Sequence, residues 1–189
     1  MTAINLSSER LSLRCITMSD LDTIHTLHSL PETDKFNTLG IPENIEVTKS
    51  IITGWILDNK KSASKNLTFA VTQKASNTFI GLIALKIGSE KFKNAEVWYK
   101  LHSDHWGKGF GTEALNLILD YGFGALKLHR IQAGCAIDNI GSIKLLEKVG
   151  MTREGRKRQV LPLKSGWSDN FEYAILETDE RINPTRRLP

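Results

Sequence analysis

Apolar and polar residues alternate from Glu9 to Cys15, with Leu11, Leu13 and Cys15 on one side and Arg10, Ser12 and Arg14 on the other. That period of two predicts a half-buried β-strand. After Thr17, the pair Ser19-Asp20 can cap a helix whose stripe of Leu21, Ile24, Leu27 and His28 ends before Pro31. Residues 31–46, with Pro31, Gly40 and Pro42, read as a loop. Val47, Ile51 and Trp55 then recur every four residues with Ile52 and Ile56 beside them, which predicts a second amphipathic helix to about Asn59.

Three strand patterns follow, Leu67 to Val71, Phe79 to Leu85 and Ala95 to Leu101. Short polar links at Lys74 to Thr78 and Gly88 to Asn94 join them as antiparallel hairpins. A helix pattern keeps Ala114, Leu115, Ile118, Leu119 and Gly122 on one small or apolar face and runs to about Ala125. Arg130 to Ile137 reads as a strand, and Asp138-Asn139 opens a helix from Ile140 to Val149 that Gly150 stops. This is a βαβα unit, so its two central strands are expected to run parallel. The chain returns to a hairpin, Arg153 to Leu161 and Phe171 to Leu176, about a turn at Pro162 to Gly166. Residues 1–177 are expected to form one domain, and the polar stretch 178–189 a poorly ordered tail.

Composition narrows the picture by exclusion. A chain of 189 residues supports one domain with a proper core and is short for two. With 40% hydrophobic and 24% charged residues it has the make-up of a soluble globular protein rather than a disordered or membrane one. No apolar run approaches the length of a membrane helix, and Met1-Thr2-Ala3-Ile4-Asn5 lacks the basic and apolar parts of a signal peptide. A cytoplasmic protein with no membrane partner is the expectation. Cys15 and Cys135 fall in strand patterns and read as buried small hydrophobes rather than a disulfide. His102 and His105 lack further suitably spaced ligands, so no metal site is expected. The net charge of +4 suits a polyanionic partner such as a nucleotide cofactor without demanding nucleic acid.

The candidate chemistry concentrates at His105-Trp106-Gly107-Lys108-Gly109-Phe110-Gly111-Thr112-Glu113-Ala114, where three glycines in five residues run into a helix pattern. Without a Cβ, Gly107, Gly109 and Gly111 let backbone N–H groups approach an anion, and the helix N-terminus adds partial positive charge. Three readings compete: a glycine-rich turn with a cap, a dinucleotide fingerprint, and the pyrophosphate loop of an acetyltransferase. Gly109 to Ala114 fits the G-x-G-x-x-A fingerprint, with Asp138 near where a ribose-binding acid is wanted. The polar run His102 to Lys108, however, separates the loop from its strand, and a meander of strands is not how a doubly wound dinucleotide domain begins.

The third reading gains from a family resemblance spread over about residues 8 to 177. Its islands are Ser8 to Arg14, Trp106 to Ala114, Asn139-Ile140-Gly141-Ser142 running to Glu147-Lys148-Val149-Gly150-Met151, and Glu154-Gly155 with Arg158, Asp169 and Tyr173. In that order, on those elements, the chain resembles the GNAT superfamily of N-acetyltransferases, in its RimJ/RimL-like, ribosomal-protein branch. The resemblance implies an α+β (mixed α/β) GNAT acyl-CoA N-acyltransferase fold, a central mixed sheet of about seven strands flanked by about four helices. Two positions depart from the general pattern. Trp106 stands where many members have Gln or Arg, although tryptophan is usual in this branch, and Leu146 stands where many carry a tyrosine that protonates the departing thiolate.

What the resemblance implies about the site can be stated residue by residue. Acetyl-CoA is the cosubstrate, its pyrophosphate held by backbone from Trp106, Gly107, Lys108, Gly109, Phe110, Gly111 and Thr112, with Lys108 adding charge. Pantetheine lies where the strand ending near Leu101 splays from the one ending near Ile137. Amides near Trp98 and Tyr99 polarise the thioester carbonyl, Asn139 contacts pantetheine as well as capping its helix, and Ser142 donates to the leaving sulfur. Glu96 is the candidate base. The plainer alternatives are a solvated strand-face glutamate at 96 and a small packing residue at 142.

The acceptor is expected to be a primary amine. An α-amine, with a pKa of about 8, asks less of a base than a lysine side chain, so a protein N-terminus, as in the ribosomal-protein branch, comes first. A small amine such as a polyamine, amino acid or aminoglycoside is the alternative within the enzyme class, and a non-catalytic CoA-binding regulatory module the alternative outside it. The basic group Arg153, Arg156, Lys157, Arg158 and Lys164 reads as a solvated hairpin or as an acceptor-side patch beside ribosomal RNA. Nucleic acid otherwise has no expected part, and the chain is expected to act as a monomer or homodimer.

Overall fold

A computed structural model describes residues 4–61 and 64–181 of the chain. Its strands are β1 (Asn5–Ser7), β2 (Leu11–Cys15), β3 (Asn66–Gln73), β4 (Thr78–Ile87), β5 (Asn94–Leu101), β6 (Arg130–Ala136), β7 (Thr152–Leu163) and β8 (Gly166–Leu176). They form one sheet in the order β1-β2-β3-β4-β5-β6-β8-β7, in which only β5 and β6 pair in parallel. Its helices are α1 (Leu21–Ser29), α2 (Pro31–Asp34), α3 (Ile45–Asn59), α4 (Phe110–Gly124) and α5 (Ile140–Lys148). This is the mixed sheet expected from the sequence, with eight strands and five helices in place of about seven and four. The additions are short: β1 has three residues, too few for a period, and α2 is a single turn that Pro31 starts within the expected loop.

Both faces of the sheet are covered, which follows from the strands' apolar residues at odd and even positions alike. Leu13, Phe69, Ile83, Val97, Ile131 and Ile175 point one way and pack with Leu115, Ile118, Leu119 and Leu146 from α4 and α5. Ala70, Leu82 and Trp98 point the other way and pack with Ile24 and Leu27 of α1 and Ile52, Trp55 and Ile56 of α3. Each Leu or Ile so buried contributes roughly 1.5–3 kcal/mol. On α3 the buried ridge is rotated by one residue from the expected stripe. Val47 is 39% exposed, whereas Thr48 and Ile52 are buried. Thr48 is tolerated there because its hydroxyl bonds His25 Nδ1 at 2.8 Å.

The expected tail begins in order. Arg181 pairs with Asp120 at 2.6 Å and lies over the Phe123 ring, which fastens residues near 181 to α4. The rest of the tail, 182–189, falls outside the described residues. Cys15 and Cys135 are free thiols, and no helix among the described residues is long and apolar enough to cross a membrane.

Candidate functional site

The β5–β6 pairing holds for three residues only, Asn94↔Arg130, Ala95↔Ile131 and Glu96↔Gln132. Beyond Glu96 the two strands part, so the β6-side edge of β5 from Val97 to Leu101 loses its strand partner and faces an opening. At the mouth of this opening stands the N-terminus of α4. Its N-cap is Gly109 at φ 79° and ψ 0°, with no side-chain cap. The first-turn amides of Phe110, Gly111 and Thr112 lack carbonyl partners within the helix. The left-handed conformation requires a residue such as glycine, and it turns these donors outward together.

Two devices hold the loop. Trp106 donates its indole N–H to the Leu101 carbonyl at 2.8 Å, tying the start of the loop to the end of β5. Arg10, just before β2, donates to the Lys108 carbonyl at 3.2 Å, lies over the Phe110 ring at 4.7 Å and pairs with Glu113 at 2.6 Å. Glu113 also accepts from Ser8 Oγ at 2.5 Å and from the Arg10 amide at 3.0 Å. Burial pushes its carboxyl up, but the Ser8 and Arg10 bonds outweigh it and hold the group below its ordinary range. The Ser8 to Arg14 island of the sequence is thus the strap of the glycine loop. Glu113→Ala strips the strap of these bonds, and an expected loss on the order of 2 kcal/mol, read by urea unfolding, should accompany weaker CoA binding.

The opening is a groove of about 870 Å³, inside the roughly 300–1,000 Å³ range of small-molecule sites. Of the residues singled out from sequence, Trp98, Tyr99, Trp106, Gly107, Gly109, Gly111, Thr112, Asn139 and Ser142 line it. Asn139 caps α5, accepting from the Ser142 amide at 3.1 Å. The Tyr99 phenol is pushed above the tyrosine range by burial, and the nearby Ser142 works against that rise. Both hydroxyls therefore stay protonated beside the groove at neutral pH.

Three of the expected site residues fall outside the lining. Phe110 is 6% exposed and belongs to the core beneath the loop. Lys108 points to solvent, its carbonyl taken by Arg10. Glu96, the candidate base, sits on the last paired rung of β5, opposite Gln132, before the strands part, and is exposed away from the groove. Leu146, at the position of the family's tyrosine, is fully buried in the main core. Of the basic hairpin, Arg156 pairs with Asp169 at 2.6 Å and Lys157 with Glu172 at 3.2 Å, and none of its five cations lines the groove. The solvated-hairpin reading is the one this geometry favours.

The other lining residues are not among the site residues expected from the sequence. Glu32, Thr33, Phe36 and Asn37, on and after α2, also wall the groove. Lys144 and Lys148, four apart on α5 and so on one helix face, line the loop end. Cys135 also lines the groove, its thiol pushed up to about 11 by burial and by Glu147 and Glu172, so it is no nucleophile at neutral pH. Lys100, buried on β5, lines it too. Among the described residues no cluster of His, Cys, Asp and Glu could hold a metal ion.

Comparison with known proteins adds a family to this geometry. The model of a family described as "Acetyltransferase (GNAT) domain" matches residues 10–152. The chain is similar to "Uncharacterized N-acetyltransferase YoaA" of Bacillus subtilis (strain 168), with 30% identity over 175 residues, 93% of this chain and 98% of that protein. It is similar to the spermidine N-acetyltransferase from Vibrio cholerae solved in complex with CoA and spermine, with 26% identity, a TM-score of 0.80, and 90% and 97% of the two chains covered. Its likeness to RimL, a ribosomal L7/L12 alpha-N-protein acetyltransferase, is one of fold, with a TM-score of 0.82 at 20% identity over 93% of this chain and 96% of that one.

Proposed function

The chain belongs to the GNAT acetyltransferase family, and from that premise we propose that it moves the acetyl group of acetyl-CoA directly onto a primary α-amine, a protein N-terminus of the ribosomal-protein type being the first to try. The observation that carries this reading is the uncapped α4 N-terminus opening into the groove between the parted β5 and β6. The amides of Phe110 to Thr112 receive the pyrophosphate, and Lys144 and Lys148 add positive charge along the same wall. Acetyl-CoA supplies an activated thioester. The free β5 edge near Trp98 and Tyr99 offers backbone N–H to its carbonyl oxygen.

The amine attacks that carbonyl carbon, the C–S bond breaks, and the thiolate departs with its electron pair. In this reading Ser142, beside the Tyr99 phenol, donates to it in the role that Leu146 cannot fill. The protonated high-pKa thiol of Cys135 speaks for direct transfer over an acetyl-cysteine route. Because an α-amine already has a neutral fraction at neutral pH, its proton can go to solvent. The two free thiols fit a cytoplasmic setting.

The polyamine reading draws on the Vibrio cholerae relative. Lys144 and Lys148 serve the pyrophosphate in this reading, which leaves Glu32 and Lys100 as the charged lining residues for the acceptor. A thiol-release assay with acetyl-CoA against N-terminal peptides, spermidine and aminoglycosides, run beside a calorimetric CoA titration, tests the proposal. Turnover on peptide α-amines is expected. CoA binding with no turnover on any amine makes the protein a regulatory module instead. Ser142→Ala should lower kcat about tenfold at unchanged KM, below the roughly 10²–10⁴-fold of general-acid catalysis because a thiolate leaves readily. Glu96→Gln separates two proton routes: unchanged kcat/KM sends the proton to solvent, and a hundredfold fall restores Glu96 as the base through water.

A further inference from the structure

Lys100 is 6% exposed, and its Nζ has no hydrogen-bond partner among the described residues. On β5 it shares a face with Trp98, which packs against α1 and α3, and it lines the groove together with Tyr99 and with Glu32 and Thr33 of α2. Around it, His28 on α1 is 1% exposed and Asp34 on α2 is 6% exposed, and each also leaves a polar atom, Nδ1 and Oδ1, without a partner. An ammonium removed from water and left unpaired is destabilising unless an anion or a strong acceptor meets it. Asp34 is near enough to act on Lys100 as a charge but makes no hydrogen bond to it.

We propose that Lys100 anchors a carboxylate carried by the acceptor, so that the amine acetylated here bears an acid a few bonds away. This rests on the acetyl-transfer reading and narrows its substrate class to α-amines with a nearby carboxylate. Two sources share that chemistry, a free α-amino acid and an N-terminal peptide with an acidic side chain. Burial pushes the Lys100 ammonium down to about 8 while Asp34 works to raise it, so the group stays mainly charged at neutral pH. Its flexible stem lets the ammonium turn from the wall into the groove. A polycation entering the same end meets a like charge at Lys100.

The test compares acceptors that differ only in the acid. L-serine against L-serinamide forms one arm, and the peptides Ser-Asp-Ala-amide and Ser-Asn-Ala-amide the other, with spermidine as the polycation. In the wild type the acid member of one pair should show at least about tenfold higher kcat/KM, the scale of one desolvated charge pair. Which pair shows it identifies the source. Lys100→Met should bring the members of that pair to within about twofold while CoA affinity holds, and Lys100→Glu should raise turnover of spermidine. Lys100→Gln replaces the Met variant if that protein does not fold. Equal kcat/KM within both pairs in the wild type, or a preference that survives Lys100→Met, overturns the inference. Calorimetric titration of both pairs onto the CoA-loaded protein reads the same preference without turnover, so an enzyme inactive on every amine sinks the acetyl-transfer reading separately.

Discussion

Gly109→Val is expected to weaken CoA binding more than a hundredfold while the apo protein still folds. Gly109 holds φ 79° as the N-cap of α4, and a β-branched residue in that left-handed conformation is strained by roughly 1–2 kcal/mol. The strain is one of conformation and not of space, since a Cβ at 109 meets only Arg10 Nη2, at 3.4 Å. The chain can therefore relieve it by rotating the loop, at small cost to stability. Rotation turns the amides of Phe110, Gly111 and Thr112 off their common target. Losing two charge-assisted hydrogen bonds to phosphate removes about 3 kcal/mol or more, which is over a hundredfold in Kd. Gly111→Ala contrasts with it. That Cβ runs into Leu145 Cδ1 and comes within 3.2 Å of Leu101 Cδ1, so it disturbs packing under the groove before it touches the loop. Calorimetry with CoA and thermal melting of the apo variants separate the two effects. A Gly109→Val protein that binds CoA as the wild type does removes this loop from the cofactor site.

The glycine loop was legible in the sequence because its chemistry is local. Gly107, Gly109 and Gly111 and the apolar face after them share one short stretch, and positive φ with a helix start needs nothing from elsewhere in the chain. The same holds for the Asn139 cap, whose partner amide at Ser142 is three residues away. What the sequence left open depends on where elements meet. Glu96 and Lys100 lie on one strand at the same parity, yet the paired rung at 96 keeps the first outside the groove while the divergence beyond it brings the second in. No local period encodes where two strands part. Likewise the buried ridge of α3 is set by where α1 places His25 for Thr48, and hydrophobicity alone ranks Val47 above that threonine.

Arg10 shows the intermediate case. Its alternation with Leu11 marks it as outward-facing, which is correct, but the surface it meets is the glycine loop almost a hundred residues away. The family islands Ser8 to Arg14 and Trp106 to Ala114 were legible separately, and the structure joins them through the Glu113 carboxylate. The cluster of His28, Asp34 and Lys100 lies at the other extreme. It draws one residue each from α1, α2 and β5, and nothing about His28 in an apolar stripe distinguishes it from a partnered core histidine.

That cluster also sets how the protein responds to acid. Between about pH 7 and pH 4.5 the folded state is expected to lose on the order of 2–3 kcal/mol through His28 alone. The ring is buried edge-on to Trp55, with centroids 6.0 Å apart, and burial first, then the Lys100 and His25 charges, push it down to about 4. Unfolded, it titrates near 6.5. A folded-state value below the unfolded one means that the unfolded chain takes up the proton first as pH falls. His28 therefore contributes fully above about 6.5 and loses its contribution as pH drops toward 4. Lys100 has the same sign at the other end, since its depressed value near 8 makes stability rise from there toward its unfolded value of about 10.5. Glu113 and Asp20 are held below their ordinary carboxylate values, so their loss comes later, at the acid end of the His28 window and beneath it. Urea unfolding at about pH 7, 6, 5 and 4.5 for the wild type and His28→Phe isolates the histidine, because phenylalanine keeps the ring against Trp55 and cannot charge. The variant should be nearly flat from pH 7 to 5 where the wild type falls. Equal slopes for the two proteins would place the acid sensitivity in another group.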